Sequence, residues 1–256
     1  KHMVVILFTL KNLPIGEVAK ILQLADSTIY DRLVRLGIPT LRSKKVRFNN
    51  VRLDIVIPRR YSSDLAEFIG IMLGDGHLTP MQVSVTLGNK EKSYVDYVST
   101  LIKKIFHAKP KCIKSKKGHF IVYIGSTKIV RWLCDMGLVY NKVKYQVDIP
   151  RWIFRRSVFM KSALRGLYDT DGSVYRLKIG MQISFCNHSR PLIESVRRIL
   201  LDLGFSPSKI SGFNLYLTRF NDRVRFYNEI GFRNKKHIDK YLDFQGVSHS
   251  GNCSAL

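Results

Sequence analysis

Asp75 and Asp171 stand at the same place in two copies of one motif. FIGIMLGDG over 68–76 returns as LRGLYDTDG over 164–172, with Gly70 matching Gly166, Asp75 matching Asp171 and Gly76 matching Gly172. Each copy reads as an apolar helix that ends in an acidic residue and a glycine. The aspartates are 96 residues apart (171 − 75), the size of one small α/β unit. If a pseudo-two-fold axis relates the two units, packing of the motif helices brings both carboxylates to one place. There they offer hard oxygen donors of the kind a divalent cation takes, and metal-assisted hydrolysis is the chemistry such a pair supports.

The elements that must position the pair repeat as well, as expected of a duplicated unit. Met81-Gln82 recurs as Met181-Gln182, in each case opening an alternating run, and CDMGLVYNKVK (134–144) parallels YNEIGFRNKKH (227–237), with Gly137 against Gly231 and Lys142 against Lys235. Asp64 with Glu67 has the capping-box spacing before the first motif, and Ser157 is placed to cap the second. Phe68, Ile69, Ile71, Met72 and Leu73 make the first motif helix apolar nearly all round, as for a helix buried between two half-domains. Gly70, Gly74 and Gly166 would allow close backbone approach, although each glycine in a helix costs about 1 kcal/mol relative to alanine.

Strand alternation is clear between the helices. Met81, Val83, Val85 and Leu87 form one face, against Gln82, Ser84 and Thr86. Tyr175, Leu177, Ile179, Met181, Ile183 and Phe185 alternate with Arg176, Lys178, Gln182 and Ser184, and Phe213, Leu215 and Leu217 with Asn214, Tyr216 and Thr218. Such sheets have one apolar and one polar face. The polar side chains include those able to read donors and acceptors in a DNA major groove, so Gln82, Ser84, Thr86, Arg176, Lys178, Gln182, Ser184, Asn214, Tyr216 and Thr218 are expected DNA contacts.

Composition agrees with a nucleic-acid partner. Forty-three basic residues against 19 acidic ones give the 256-residue chain a formal charge of +24, which points to a polyanion. Charge alone equally suits a general RNA-binding protein. The four cysteines (Cys112, Cys134, Cys186 and Cys253) lack zinc-site or disulfide spacings and are expected to be reduced and mostly in the core. The run MVVILFTL (3–10) is too short for a signal peptide, and no apolar stretch approaches the ~20 residues of a membrane span. The expectation is a soluble intracellular protein of cytoplasm, nucleoid or organelle matrix, with no membrane partner.

The two motifs in register, with their matching flanks, resemble the LAGLIDADG homing endonucleases in their single-chain form with two fused half-domains, over roughly residues 61–240. The resemblance implies an α+β fold of two pseudo-symmetric αββαββα half-domains with antiparallel saddle sheets. It assigns Asp75 and Asp171 as metal ligands, joined by the carbonyls of Gly74 and Thr170, and makes Lys142 and Lys235 the candidates for stabilising the reacting phosphate. Mg²⁺ is the implied cofactor, with Mn²⁺ as a substitute. The implied partner is double-stranded DNA carrying a long, weakly symmetric target, cut with short 3′ overhangs by a monomer. Leu73 departs from the motif where an acidic residue is frequent, while Asp169 fills that place in the second copy. A non-cleaving DNA-binding regulator and an intron RNA maturase on the same scaffold remain the alternatives.

Ahead of this core, residues 13–39 read as a helix-turn-helix. Pro14 suits a first helical position, Val18, Ala19, Ile21 and Leu22 form an apolar face, and Asp26 can cap a second helix with Ile29, Leu33 and Leu36 on one side. Gly37 and Pro39 would end it. Ser27, Thr28, Asp31, Arg32 and Arg35 lie off the apolar stripe, where a recognition helix meets DNA; a plain packing bundle is the competing reading. RSKKVRFNNVRLDIVIPRR (42–60) reads as a basic connector with a short strand at Leu53–Ile57, or as an ordinary solvated linker. The expected division is 1–45 helix-turn-helix, 46–60 linker, 61–150 and 151–245 half-domains, and 246–256 tail. His77 is set aside as a base, because the second copy has no histidine two residues past its aspartate. VYIGST (122–127) and CNHS (186–189) read as strand ends and turns, not as nuclease or zinc motifs.

Overall fold

The computed structural model describes residues 2–11, 13–38, 54–178 and 180–244. The chain divides into two compact units, Lys1–Phe48 and Asn49–Leu256. The expected Pro39 stop, the linker up to residue 53, Ile179, Cys253 and the tail lie outside the described residues.

The first unit is helical. α1 (His2–Val5) runs into a π-helical turn over Ile6–Leu10, followed by α2 (Ile15–Leu22) and α3 (Asp26–Arg35). Gln23, in the left-handed region at φ 54°, turns the chain between α2 and α3. Val4, Leu7, Phe8, Val18, Ala19, Ile29 and Leu33 form its core. Several local expectations differ. Pro14 and Ala25 are the N-cap residues, and Asp26 is the first residue of α3, where its charge meets the positive end of the helix dipole. Ile21 and Leu36 are exposed, Leu36 because α3 has already ended at Arg35.

The second unit is α+β, with two antiparallel sheets. Its first half runs α4 (Ser63–Leu73), β1 (Gly76–Thr79), β2 (Gln82–Leu87), α5 (Lys92–Phe106), β3 (Lys111–Lys114), β4 (Phe120–Gly125) and α6 (Thr127–Asp135). This is the expected αββαββα order, in a sheet ordered β1-β2-β4-β3. After a 3₁₀ turn at Arg151–Arg155 come α7 (Ser157–Thr170), β5 (Gly172–Arg176), β6 (Met181–Cys186), α8 (Arg190–Asp202), β7 (Asn214–Leu217), α9 (Phe220–Glu229) and α10 (Lys235–Phe244). The second sheet, β5-β6-β7, has three strands among the described residues. Where a fourth would lie, Pro207 and Gly212 (φ +57°) break the run; Ser208 and Ser211 still bond to β7 through Tyr216 and Asn214. Residues 54–57 form no strand, though Val56 donates to the Phe106 carbonyl.

Glycine sets the packing of the motif helices α4 and α7. A Cβ on Gly70 would collide with the Ala163 carbonyl and lie 3.0 Å from the Leu167 amide nitrogen; one on Gly166 would collide with the Glu67 carbonyl and lie 2.8 Å from the Ile71 nitrogen. Glu67 and Ala163, like Ile71 and Leu167, occupy equivalent positions of the repeat, so the two contacts are related by its pseudo-symmetry. Backbone-to-backbone approach of this kind is open only to glycine. Around it Phe68, Ile69, Ile71, Met72, Ala163, Leu164 and Leu167 are buried in one core with the inner sheet faces. Glu67 is buried too, and Arg165 on α7 closes an ion pair with it at 2.8 Å. Glu67 therefore does not serve a capping box. The cap of α4 is Ser62, whose hydroxyl accepts the Leu65 amide, and α7 starts without a side-chain cap.

Candidate active site

Asp75 follows Gly74, the C-cap of α4, and Asp171 is itself the C-cap of α7. Each is held the same way: the Thr86 amide of β2 donates to the Asp75 carbonyl and the Cys186 amide of β6 to that of Asp171. The glycine contact between the helices places these ends side by side, with the Asp171 carboxyl carbon 3.4 Å from where a Cβ on Gly74 would stand. The two carboxylates are therefore electrostatically coupled. Burial pushes the Asp75 carboxyl up to about 6, repulsion by Asp171 and Glu91 adds to it, and Lys142 and Lys236 pull it back. Asp171 is also raised by burial, but the Asn187 carboxamide, donating to its Oδ2 at 2.6 Å, opposes the rise, as do Lys142 and His188.

Lys142 is within electrostatic reach of both aspartates. Its Nζ donates to the carbonyls of Gly74 and of Met72, the latter at 3.2 Å, and it feels both carboxylates while burial lowers its own pKa. Lys235 is not its counterpart. Its Nζ pairs with Asp239 on the exposed side of α10, at 2.6 Å. Lys236 reaches the site instead, 3.1 Å from Glu91 and within electrostatic reach of Asp75. Counting from the paired glycines exposes the slip, since Lys142 stands five residues beyond Gly137 and Lys236 five beyond Gly231.

The donor set suits a hard divalent cation. It consists of two half-buried carboxylates whose mutual repulsion a cation would relieve, and carbonyl oxygens at both helix ends. The Gly74 carbonyl already faces the Lys142 ammonium, and the Thr170 hydroxyl is turned back onto its own helix, donating to Gly166 and Leu167 carbonyls at 3.0 Å. Among the described residues no cluster of three or more His, Cys, Asp or Glu side chains forms a metal site, so the two aspartates are the charged part of the set.

Strand register decides which side chains share the outer face of each sheet. In the first, His77 pairs Ser84, Ser84 pairs Tyr123 and Tyr123 pairs Lys111, a row that crosses all four strands; Gln82 and Thr86 flank Ser84 on the same face. In the second, Ser173, Ser184 and Tyr216 form the equivalent row, with Tyr175 beside Gln182 and Asn214 beside Cys186. Ser84 and Ser184 are nearly covered, and their hydroxyls donate to the His77 and Ser173 carbonyls. Thr218 is exposed one residue past β7.

Arg176 is displaced from the expected row. A turn at 177–180, closed by the Leu177 amide on the Gly180 carbonyl, interrupts the alternation read continuously from Tyr175 to Phe185. Arg176 thus pairs with Met181, while Tyr175 donates its hydroxyl to Gln182 at 2.5 Å on the outer face. Lys178 lies exposed in the turn. Met81 precedes β2 and is exposed, and Phe213 is exposed against His188, with ring centroids 4.4 Å apart. Cys112 and Cys186 are exposed free thiols rather than core residues. In the first unit Ser27 and Arg35 are exposed and Thr28 and Arg32 half-buried along α3. No helix among the described residues is long and apolar enough to cross a membrane.

Sequence reading set His77 aside as a base, gave Tyr123 and Tyr175 only strand positions, and missed Lys111, Ser173, Asn187, Glu91 and Lys236. Tyr123, Lys111 and Tyr175 follow from cross-strand register, which hydrophobic alternation within one strand does not contain.

Residues 159–231 match the family described as LAGLIDADG-like domain. By structure, the chain is similar to the homing endonuclease I-DmoI in complex with DNA and Mn, with a TM-score of 0.52 and 18% identity over 66% of this chain and 96% of that one; the two share the fold. By sequence it is similar to two proteins of Methanocaldococcus jannaschii: a replication factor C small subunit, 24% identical over 72% of the chain, and a glutamine–fructose-6-phosphate aminotransferase, 25% identical over 73%. The chain covers only 10% and 18% of the length of these two relatives.

Proposed function

We propose that the protein is a site-specific double-strand DNA endonuclease of the LAGLIDADG homing type, with both motifs in one chain. The observation that carries the proposal is the coupling of Asp75 and Asp171 at the ends of two helices in backbone contact, with a lysine from each half beside them. A structural core places two partly buried carboxylates together only at a cost, because like charges oppose each other's ionisation; a metal-dependent site for phosphate esters makes use of that arrangement.

Asp75 and Asp171, with the Gly74 and Thr170 carbonyls, would hold Mg²⁺ or Mn²⁺, which when bound activates water and neutralises charge on the reacting phosphate. Lys142 and Lys236, one from each half, supply positive charge to the reacting phosphates. Burial lowers the pKa of Lys142 and so weakens its hold on its proton, which suits it to give a proton to the leaving oxygen. The outer sheet rows around Ser84 and Ser184 lie against the major groove on either side, and the +24 charge holds the phosphate backbone. α2 and α3 act as a helix-turn-helix at one flank through Ser27, Thr28, Arg32 and Arg35, with residues 46–60 as the basic linker. The protein acts as a monomer, since both half-sites are present in one chain.

The two archaeal relatives have unrelated activities, and the matching stretch is a minor part of each. This supports an element that inserts into different host proteins rather than a share in either activity. Incubation with a randomised duplex library and Mg²⁺, followed by sequencing of the ends, tests the proposal: one recurrent asymmetric target with paired staggered cuts supports it, and random nicking or intact DNA contradicts it.

A further inference from the structure

The two lysines of the site are held differently. Lys142 donates to carbonyls of its own half. Lys236 is set by a carboxylate of the opposite half, through a latch that crosses the pseudo-symmetry axis. Asn234, almost fully buried, gives its Nδ2 to Glu91 Oε1 at 2.8 Å and to the Asp169 carbonyl at 3.2 Å. The Asp169 carboxylate in turn receives the Arg233 and Asn234 amides at 3.0 Å. Glu91 uses its other oxygen on the Gly88 amide, so its carboxylate is fixed in orientation, and Lys236 Nζ rests on Oε1 at 3.1 Å. The reciprocal clasp has another chemistry. Gln146 of the first half accepts the Arg190 amide at 2.8 Å, and Ser189 donates to the Val147 carbonyl at 2.6 Å.

We infer that Glu91 is a positioning residue for Lys236, and that it supports the cutting of one DNA strand only. The inference rests on the endonuclease reading. Lys236 is half-exposed, and a lysine on a four-carbon stem gains a fixed place only from a partner. Glu91 supplies that partner next to Asp75, while among the described residues the Lys142 ammonium is held by the Met72 and Gly74 carbonyls. Removing the Glu91 charge therefore releases one lysine and leaves the other in place. A general loss of stability would slow both strands alike, so strand bias separates positioning from scaffolding.

The test uses the full-length protein, supercoiled plasmid and an end-labelled duplex carrying the recovered target. Glu91→Gln is expected to accumulate nicked circles and to slow one strand on the order of tenfold or more, with affinity in Ca²⁺ unchanged. Lys236→Met is expected to slow that same strand, Lys142→Met the other, and the Glu91→Gln, Lys236→Met double variant to be no slower than Lys236→Met. Equal slowing of both strands by Glu91→Gln, wild-type linearisation by it, or additive losses in the double variant would overturn the inference. If Glu91→Gln does not fold, Lys236→Met carries the test, and equal slowing of both strands by that variant is the overturning result. Failure of the wild-type protein to cut any duplex would instead sink the endonuclease reading.

Discussion

Asn187 donates to Asp171 through its carboxamide at 2.6 Å, whereas the position that answers it in the first half is Leu87, a buried core residue. Each follows the residue whose amide holds its aspartate, Cys186 in one half and Thr86 in the other. The two carboxylates are thus unequal. Asp171 has a neutral donor that stabilises its charge, and Asp75 faces Glu91 as a further repulsive neighbour.

Stability without metal should reflect that inequality. Because the folded-state pKa of Asp75 is raised from 3.8 to about 6, its contribution to stability is present below the unfolded value and is lost as pH rises through about 6. Metal-free protein should therefore melt at lower temperature at pH 7.5 than at pH 5.5 on this account. Asp75→Asn should reduce the dependence, with Asp169, which burial pushes up to about 7, keeping part of it, and should raise the pH 7.5 melting temperature by a few degrees, from about 1–2 kcal/mol. Asp171→Asn should gain less. Calorimetry of the three proteins in EDTA checks it; a lower melting temperature for Asp75→Asn would count against a repulsive pair.

Cleavage should have the opposite pH response. Protonation of Asp75 removes a charged donor, so activity should fall as pH drops below about 6, and the midpoint should move lower as Mg²⁺ is raised, because cation and proton compete for the same carboxylate. Single-turnover rates between pH 5 and pH 8, in steps on the order of half a unit, at two Mg²⁺ concentrations report this. A midpoint indifferent to Mg²⁺ would refute the competition.

Gly166→Ala should separate the motif helices, since the added Cβ meets the Glu67 carbonyl and the Ile71 amide. The expected cost is about 1–3 kcal/mol or more, with a fall in cleavage beyond the fall in stability because the aspartates move apart. Gly16→Ala, whose Cβ would stand in ordinary contact 3.5 Å from Asp26 Oδ2, serves as the comparison. Full activity in a fully folded Gly166→Ala protein would show that helix spacing does not set the site.

Much of this was legible in the sequence, and the parts that were not have physical causes. The paired motifs, the aspartates and Lys142 follow from a repeat, which survives in local sequence. Lys236 was lost by one position because Lys142 was set against Lys235, although the paired Gly137 and Gly231 place it against Lys236. Arg176 and Tyr175 changed faces because the turn at 177–180 resets alternation, and Glu91 and Asn187 enter the site only through contacts between segments distant in sequence. Glu67, read as part of a cap, is committed to Arg165 because a carboxylate buried at the helix interface needs a cation.

The N-terminal helices should contribute affinity and not chemistry. Protein lacking residues 1–48 should remain folded and cut the same phosphates, with a footprint shortened at one end, and Arg32→Ala with Arg35→Ala should reproduce part of the affinity loss. Binding should weaken with salt at about 0.9 log units per neutralised phosphate, and the truncated protein should have the shallower slope. Identical footprints and slopes would leave these helices a packing role.

The most direct test of the account is cleavage by Asp75→Asn and Asp171→Asn on the recovered target, with binding measured in parallel. Each substitution removes a charged metal donor and leaves the groove-facing rows intact, so both variants should bind within a few-fold of wild type, and neither should convert supercoiled plasmid to linear product. Linear product at the wild-type rate from either variant would contradict the assignment of the aspartate pair as the catalytic centre.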